Sequence, residues 1–373
     1  MRRSKPKNSP RLFGDSFPSG KRIKQARELN ALTQSELASK VGVSQGLIAQ
    51  IEGSFKLAHP ELVQTIAIQT ERFQPSFFYS DPLFEFPPES VLFRAMARTT
   101  RKEETEACRY AEIVCEIASL LLKHIKPMEF KLRSSGPSAP ADVARRVRMN
   151  LGLPSDGPIA HLIREIEKSG VLVLALPMDL PKRDALSLWP ESLGMPVIAL
   201  SGGRPGDRVR LTVAHELGHI ALGHSKLLHG ADENEAFEFG DELLMPEAAM
   251  RREMIPPITL SVLLRLKARW RVSLQALIRR AKSLGVIDES RATYLYTQIS
   301  VNHWRQDEPV PIPLERPRLL RQLFERVYGE DHVRLANDVG YRPQFVREIF
   351  ECYEGRQSDE PSRPTKVVSL RRR

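Results

Sequence analysis

At 373 residues, the chain is longer than a single hydrophobic core usually supports, so we expect two or three domains. Hydrophobic residues make up 41% and charged residues 27% of the sequence, a globular balance that excludes a largely disordered chain. The formal net charge of +10 favours polyanionic partners such as nucleic acid. No apolar run approaches the ~18 residues that span a bilayer, and the first residues lack the apolar core of a signal peptide. We therefore expect a cytoplasmic protein without membrane contact.

The first part of the chain has a basic arm followed by short helical patterns. Residues 1–16 are basic, contain proline and lack periodicity, which predicts a disordered arm. Glycine-broken helical patterns then continue to about residue 80, and consecutive prolines at 87–88 mark a boundary. Residues 102–126 repeat apolar side chains at the spacing of one helical face, which predicts a connecting helix. A second linker follows at 134–140.

The rest of the chain combines short strands with helices. The apolar segments 171–176 and 196–200 predict two buried strands. Helices dominate from about residue 208 to 298, prolines at 309–313 separate a small helical C-terminal region, and the tail after residue 355 has a disordered composition. Within that region the segment 335–346 faintly resembles a helix-turn-helix, although a plain helical hairpin is the favoured interpretation.

A helix-turn-helix pattern occupies the segment 33–52. Thr33 and Glu36 have the spacing of a capping box, which predicts the start of a short helix. Gly42 is expected to end that helix, and Ser44 is expected to cap a second one. Short helix, glycine turn and short helix form the helix-turn-helix motif. Helices predicted at 20–29 and 60–69 complete a bundle of four or five helices.

This segment resembles a known family of DNA-binding domains. Leu32-Thr33-Gln34-Ser35-Glu36-Leu37-Ala38, with Val41-Gly42-Val43-Ser44-Gln45, is similar to the Cro/lambda-repressor (XRE) family over about residues 17–72. The resemblance implies that the helix from Ser44 lies in the major groove of a double-stranded DNA operator. It further implies that Gln45 pairs with adenine and that Gln34 touches phosphate. A helical bundle that binds another protein is the alternative interpretation.

Basic residues near this motif are expected to add affinity. The outward positions of the second helix carry Gly46, Ala49 and Gln50 rather than lysine or arginine, so much of the affinity is expected to come from nearby cations and the basic arm. The candidate DNA-contacting residues are Gln34, Ser44, Gln45, Gln50, Lys21 and Arg22.

A second motif indicates metal chemistry. His215 and His219 stand four apart, so on a helix they project from one face at the separation that two ligands of one ion require. Glu216 is adjacent but turned, which suits a carboxylate that activates water. Gly218 is unfavourable in a helix interior and is expected where another backbone or a ligand approaches closely. Two histidines on an ordinary helix, without metal, are the alternative.

The surroundings of this motif resemble a peptidase family. Thr212-Val213-Ala214-His215-Glu216-Leu217-Gly218-His219, followed by Glu233-x-Glu235-Ala236 and Leu243-Leu244-Met245-Pro246, is similar to the ImmA/IrrE zinc metallopeptidases, and the likeness extends loosely over 141–298. The resemblance implies that His215 and His219 bind Zn²⁺, that Glu216 is the catalytic base, and that a glutamate on the following helix completes the site. Alignment on Leu-Met-Pro favours Glu233 as this ligand, with Glu235 as the alternative. Two apart on a helix, they point away from each other, so both cannot bind.

Three further residues near the motif have side chains that bear on the metal site. Phe237 occupies a position where the family usually has an asparagine or aspartate that could hold a ligand histidine. His224 and His229 lie close enough to stabilise an oxyanion or to replace a ligand, although histidines beyond a helix end usually do neither. An extended peptide substrate is expected to add to a sheet edge at the strand 197–200.

Together these patterns predict a multidomain, mainly α protein. In chain order we expect a basic disordered arm (1–16), a helix-turn-helix DNA-binding domain (17–80), a connecting helix (90–130), an α+β zincin-like metallopeptidase domain with a small sheet (141–305), a small helical C-terminal region (314–355) and a disordered tail (356–373). The expected function is a transcriptional regulator with a zinc-dependent endopeptidase domain that cleaves a repressor or another regulatory protein in a stress, prophage or mobile-element response. Its expected partners are operator DNA and a protein substrate, and a homodimer is allowed. The alternatives are a non-catalytic regulator and an antitoxin-like protein whose peptidase-like domain binds a partner or a metal.

Overall fold

A computed structural model gives the fold of most of the chain. It describes residues 17–86, 101–125, 130, 132, 136, 138–178, 184–224, 230–305 and 307–354. The predictions for the arm 1–16, for His229 and for the tail 356–373 lie outside these residues. The described part is mainly helical with one small sheet, as the sequence predicts.

The described residues form sixteen α-helices and three strands. The helices are α1 (Gly20–Leu29), α2 (Gln34–Val41), α3 (Gln45–Glu52), α4 (Pro60–Thr70), α5 (Arg101–Leu122), α6 (Pro140–Asn150), α7 (Leu162–Lys168), α8 (Gly206–Leu222), α9 (Gly230–Leu244), α10 (Glu247–Glu253), α11 (Leu260–Trp270), α12 (Leu274–Ser283), α13 (Glu289–Val301), α14 (Leu319–Tyr328), α15 (His332–Val339) and α16 (Pro343–Glu351). The strands are β1 (Leu172–Ala175), β2 (Ala185–Leu188) and β3 (Val197–Leu200). Short 3-10 helices occupy Pro75–Tyr79 and Glu191–Leu193. Within the described part, no helix combines the length and the apolar character needed to cross a bilayer.

The chain folds into two compact units. Of the described residues, unit 1 contains 17–86, 101–117 and 325–348, and unit 2 contains the others. The chain leaves unit 1 within α5 and returns to it within α14. The C-terminal region, which we expected to stand apart, is therefore divided between the two units.

Local signals fix the helix-turn-helix of unit 1. The Thr33 side chain accepts a hydrogen bond from the Glu36 amide, and the Glu36 carboxylate accepts one from the Thr33 amide, so the predicted capping box is present. Gly42 ends α2 in the left-handed conformation. The Ser44 side chain caps α3 by accepting from the Leu47 amide. The capping box, the glycine that ends α2 and the serine that caps α3 are thus confirmed, and each depends on residues only a few positions apart in the sequence.

The helices α15 and α16 complete the core of unit 1. Asp331 caps α15, Gly340 ends it with φ +73°, and α16 follows, which repeats the local geometry of α2 and α3. The Tyr341 side chain, at 0% exposure, packs edge-on against Phe73 and donates a hydrogen bond of 3.0 Å to Glu116 of α5. Aromatic packing thus joins the segment around Phe73 to the segment around Tyr341 within unit 1.

Unit 2 contains a three-stranded sheet in the order β1-β3-β2. Strand β1 pairs with β3 in parallel, and β2 pairs with β3 antiparallel. The prediction that strand 197–200 forms a sheet edge is wrong, because β3 is hydrogen-bonded on both sides and β2, which we did not predict, is an edge strand. All four residues of β3 are buried, as expected for a central strand.

The tight packing of Gly340 generates a first prediction. Gly42 and Gly340 have φ of +72° and +73°, but a Cβ at Gly42 would meet open space, whereas one at Gly340 would lie 2.8 Å from the Phe77 backbone nitrogen. Gly42→Ala should lower the stability of unit 1 by about 1–2 kcal/mol, the cost of left-handed alanine. Gly340→Ala should lose about 1–3 kcal/mol more through the clash. Hydrogen exchange of unit 1 amides under increasing urea measures both, and equal losses would contradict the packing described.

Candidate functional site

The helix α8 carries the candidate metal-binding side chains. His215, Glu216 and His219 lie on its second half, and all three are buried, as is most of this part of the helix. Gly223 ends α8 in the left-handed conformation and turns the chain toward His224. A buried pair of histidines one turn apart is the arrangement that the sequence predicts.

Close packing of α9 on α8 brings a third potential ligand, the carboxylate of Glu233, to this face. A Cβ added at Gly218 would lie 3.0 Å from Cδ1 of Phe239 and 3.1 Å from the Ala236 carbonyl oxygen. At Gly240 of α9, the nearest atom to an added Cβ would be the His215 amide nitrogen, at 3.4 Å. The expectation that Gly218 permits a close backbone approach is therefore confirmed.

Three potential ligand atoms converge at this helix crossing. The Nε2 atoms of His215 and His219 are 3.1 Å apart. The Glu233 carboxylate oxygens lie 3.5 Å from His215 Nε2 and 3.5 Å from His219 Nε2. Ligand atoms bound at 2.0–2.1 Å to a tetrahedral zinc ion are separated by about 3.3 Å. Two imidazole nitrogens and one carboxylate thus match both the donor types and the spacing that zinc requires.

The electrostatics of the site also suit a metal. Burial, together with the neighbouring His215, lowers the pKa of His219 to about 3. At neutral pH its imidazole is therefore uncharged, the form in which histidine binds a metal. The side chain of Glu233 is 19% exposed, so this face of the crossing remains accessible to solvent.

The other predicted residues occupy separate places around these three. Glu216 follows His215 on α8 and is 8% exposed, outside the group of converging ligand atoms in the described part of the chain. Glu235 does not face His215 or His219; its carboxylate lies 3.2 Å from His224 Nε2. The Phe237 ring packs 4.3 Å from the His215 ring, between centroids.

In unit 1, a chain of polar contacts fixes the start of α3. Gln45 donates from Nε2 to Gln34 Oε1 at 2.9 Å, and Gln34 donates to Glu52 at 2.8 Å. Glu52 in turn accepts two hydrogen bonds from Arg27 of α1, at 2.6 and 2.9 Å. The roles of Arg27 and Glu52 were missed, since they lie 25 residues apart and only the fold pairs them.

The remaining candidate DNA-contacting residues differ in accessibility. Ser44, Gln45 and Gln50 are exposed at α3. The Lys21 side chain is half-exposed and forms an ion pair of 2.6 Å with Glu85.

Arg22 lies in the core of unit 1 rather than on a DNA-binding surface. It is 4% exposed, and Nη1 donates to both Glu116 oxygens at 2.9 and 3.0 Å. Its guanidinium lies over the Phe77 ring, 4.4 Å from the centroid. The expectation of a phosphate contact is therefore corrected: using this charge for DNA would break a buried ion pair, which is strongly unfavourable.

Family models match both of these regions. The helix-turn-helix model matches residues 23–66, which include α2, α3 and their capping residues. The peptidase model described as the IrrE N-terminal-like domain matches residues 166–282, which include the sheet and the α8–α9 crossing. The chain joins a helix-turn-helix domain to an IrrE-like domain. No curated protein matches it significantly. The IrrE-like domain places the converging histidines and glutamate within a metallopeptidase-type fold.

The α8–α9 crossing of the IrrE-like domain generates a second prediction. Gly218→Ala must push α9 away from α8 by a few tenths of an ångström, which moves Glu233 relative to the histidines. We expect zinc affinity to fall roughly tenfold, as when other supports of metal ligands are lost. Gly240→Ala is the matched control, because its Cβ would make only ordinary contacts. Chelator competition on both purified variants measures the affinities, and equal values would refute the role of the crossing.

Proposed function

We propose that the chain is a transcription regulator that binds a double-stranded operator and cleaves a regulatory protein, such as a repressor, at a zinc-dependent endopeptidase site. The observation that carries this proposal is the convergence of His215, His219 and Glu233 beside a buried glutamate of the same motif. Three protein ligands leave a fourth position for water or substrate, which distinguishes catalytic from structural zinc sites.

In peptide hydrolysis, the residues of the IrrE-like domain would have two roles, metal binding and proton transfer. His215, His219 and Glu233 would hold the ion. Zinc, when bound, lowers the pKa of a water molecule and polarises a carbonyl group. Glu216 would accept the proton of that water and deliver it to the nitrogen that leaves when the peptide bond breaks.

The edge of the sheet offers a place for an extended substrate. Among the described residues, strand β2 pairs on one side only, with β3. Asp184, directly before β2, lies 3.5 Å from the Thr212 hydroxyl, one turn before His215 on α8. A peptide that added to β2 by main-chain hydrogen bonds would therefore run close to the proposed zinc site.

The helix-turn-helix domain would supply operator recognition. The contacts of Gln45 with Gln34, and of Gln34 with Glu52, hold the first side chain of α3 in a defined orientation before DNA is bound. A side-chain amide at this position can form two hydrogen bonds with adenine in the major groove. Stress, prophage or mobile-element genes are the proposed setting, and a homodimer would read a symmetric operator.

A third prediction tests the catalytic base. Glu216→Gln should keep one zinc per chain, because this side chain is not a proposed ligand, yet lose cleavage by several orders of magnitude. His215→Ala, His219→Ala and Glu233→Ala should each lose the metal. Elemental analysis of purified protein and cleavage assays on proteins encoded beside the gene measure both properties.

Two outcomes would contradict this mechanism. Undiminished cleavage by Glu216→Gln would exclude Glu216 as the base. Zinc bound by the parent protein without cleavage of any such protein would favour the non-catalytic regulator.

A fourth prediction tests operator reading by α3. Gln45→Ala should weaken binding to a site selected from random duplexes by about 1–3 kcal/mol and leave non-specific binding unchanged, as expected for a base contact. Gln64→Ala is the control, since Gln64 is an exposed glutamine on α4. Fluorescence anisotropy with the full chain measures both. Equal losses on specific and random DNA would place Gln45 on the DNA backbone instead.

A further inference from the structure

A line of polar groups extends behind His219, away from the converging ligand atoms. His219 Nε2 faces His215 and Glu233, whereas its Nδ1 lies 2.9 Å from His224 Nδ1. The other ring nitrogen of His224, Nε2, lies 3.2 Å from Glu235 Oε2. The His224 side chain is 7% exposed and that of Glu235 is 49% exposed, so the line runs from the site toward solvent.

The direction of each hydrogen bond in this line follows from the metal-binding role of His219. Binding through Nε2 uses its lone pair, so the imidazole proton lies on Nδ1. That N–H can donate to His224 Nδ1 only if His224 carries its own proton on Nε2. The His224 Nε2–H then donates to the Glu235 carboxylate. With these proton positions, His219 Nδ1, both ring nitrogens of His224 and Glu235 Oε2 all take part in hydrogen bonds.

We propose that His224 and Glu235 are positioning residues of the zinc site, which hold the His219 ring in the tautomer and orientation that metal binding requires. The inference rests on the proposed function in one respect, namely that His215, His219 and Glu233 hold the ion. Hydrogen-bonded partners behind ligand histidines commonly raise metal affinity 10- to 100-fold.

The same geometry argues against His224 as a replacement ligand and against Glu235 as the third ligand. His224 contacts the edge of His219 opposite to Nε2, with its ring centroid 5.1 Å from that of His219, so it lies on the wrong side of His219 to share its ion. Glu235 is two residues from Glu233 on α9, and its carboxylate contacts His224 instead. Among the described residues, the group of converging ligand atoms contains only His215, His219 and Glu233.

The two ligand histidines are supported unequally. His215 Nδ1 is buried and has no hydrogen-bond partner among the described residues. Its ring is held by packing against Phe237, 4.3 Å away between centroids. Packing does not select a tautomer. Among the described residues, His219 is therefore the one ligand histidine whose second ring nitrogen is hydrogen-bonded.

The test compares zinc dissociation constants of full-length variants by chelator competition. His224→Ala and Glu235→Ala should each weaken zinc binding about 10- to 100-fold. The double variant should bind no more weakly than His224→Ala alone, because the two side chains act in series. His224→Gln should recover part of the affinity, since its amide oxygen can accept from His219 Nδ1. Glu238→Ala, which removes an exposed carboxylate on the same helix, should bind like the parent.

The outcomes separate this inference from the function on which it rests. Parent-like affinity in both His224→Ala and Glu235→Ala, or additive losses in the double variant, would overturn the positioning role while the zinc site stands. Parent-like affinity in His215→Ala would overturn the zinc site and the positioning role together. If the variants lose zinc affinity as expected but the parent chain cleaves no protein, the positioning role stands and only the proposed peptidase activity is refuted. Because Glu235 is half-exposed, Glu235→Ala should fold normally, and a thermal melt of the metal-free protein checks this.

Discussion

The close crossing of α8 and α9 is the constraint on which the candidate metal site depends. His219 and Glu233 are 14 residues apart and on different helices, so their ligand atoms meet only if the two backbones nearly touch. Glycine at 218 permits that approach, although it weakens its own helix by roughly 0.5–1 kcal/mol relative to alanine. Helix α8 thus has lower intrinsic stability, and in return the distance between the ligands is fixed. The same crossing sets Glu235 beside His224, so the ligands and their support share one origin.

In unit 1, buried ion pairs fix the relative positions of helices. Arg22 joins α1 to α5 through Glu116, and Tyr341 of the C-terminal part donates to the same carboxylate. Arg27 and Glu52 likewise join α1 to α3. Such pairs add little net stability over apolar packing, but breaking one leaves a buried charge without its partner, which makes alternative arrangements unfavourable. The position of α3 is therefore specified in part by the buried ion pair of Arg27 and Glu52.

The sequence predicted features that depend on near neighbours and failed where distant segments meet. The capping box of Thr33 and the helical spacing of His215 and His219 are local, and the structure contains both. Arg22 looked like an exposed basic residue because Glu116 is 94 residues away. Strand β2 was overlooked since four residues with a central serine carry a weak pattern, and without β2 the position of β3 in the sheet could not be assigned. The choice between Glu233 and Glu235 depended on family register, because helix spacing alone cannot say which side faces α8.

The return of the chain to unit 1 after residue 324 affects how this protein is made and how its mutants are interpreted. The ribosome completes the IrrE-like domain before it adds Tyr341 and Phe345, so the aromatic core of unit 1 cannot close until that domain has been synthesised. A frameshift or premature stop codon within the IrrE-like domain also removes that core. Such an allele would disable both halves of the molecule at once, and only missense alleles can separate their contributions.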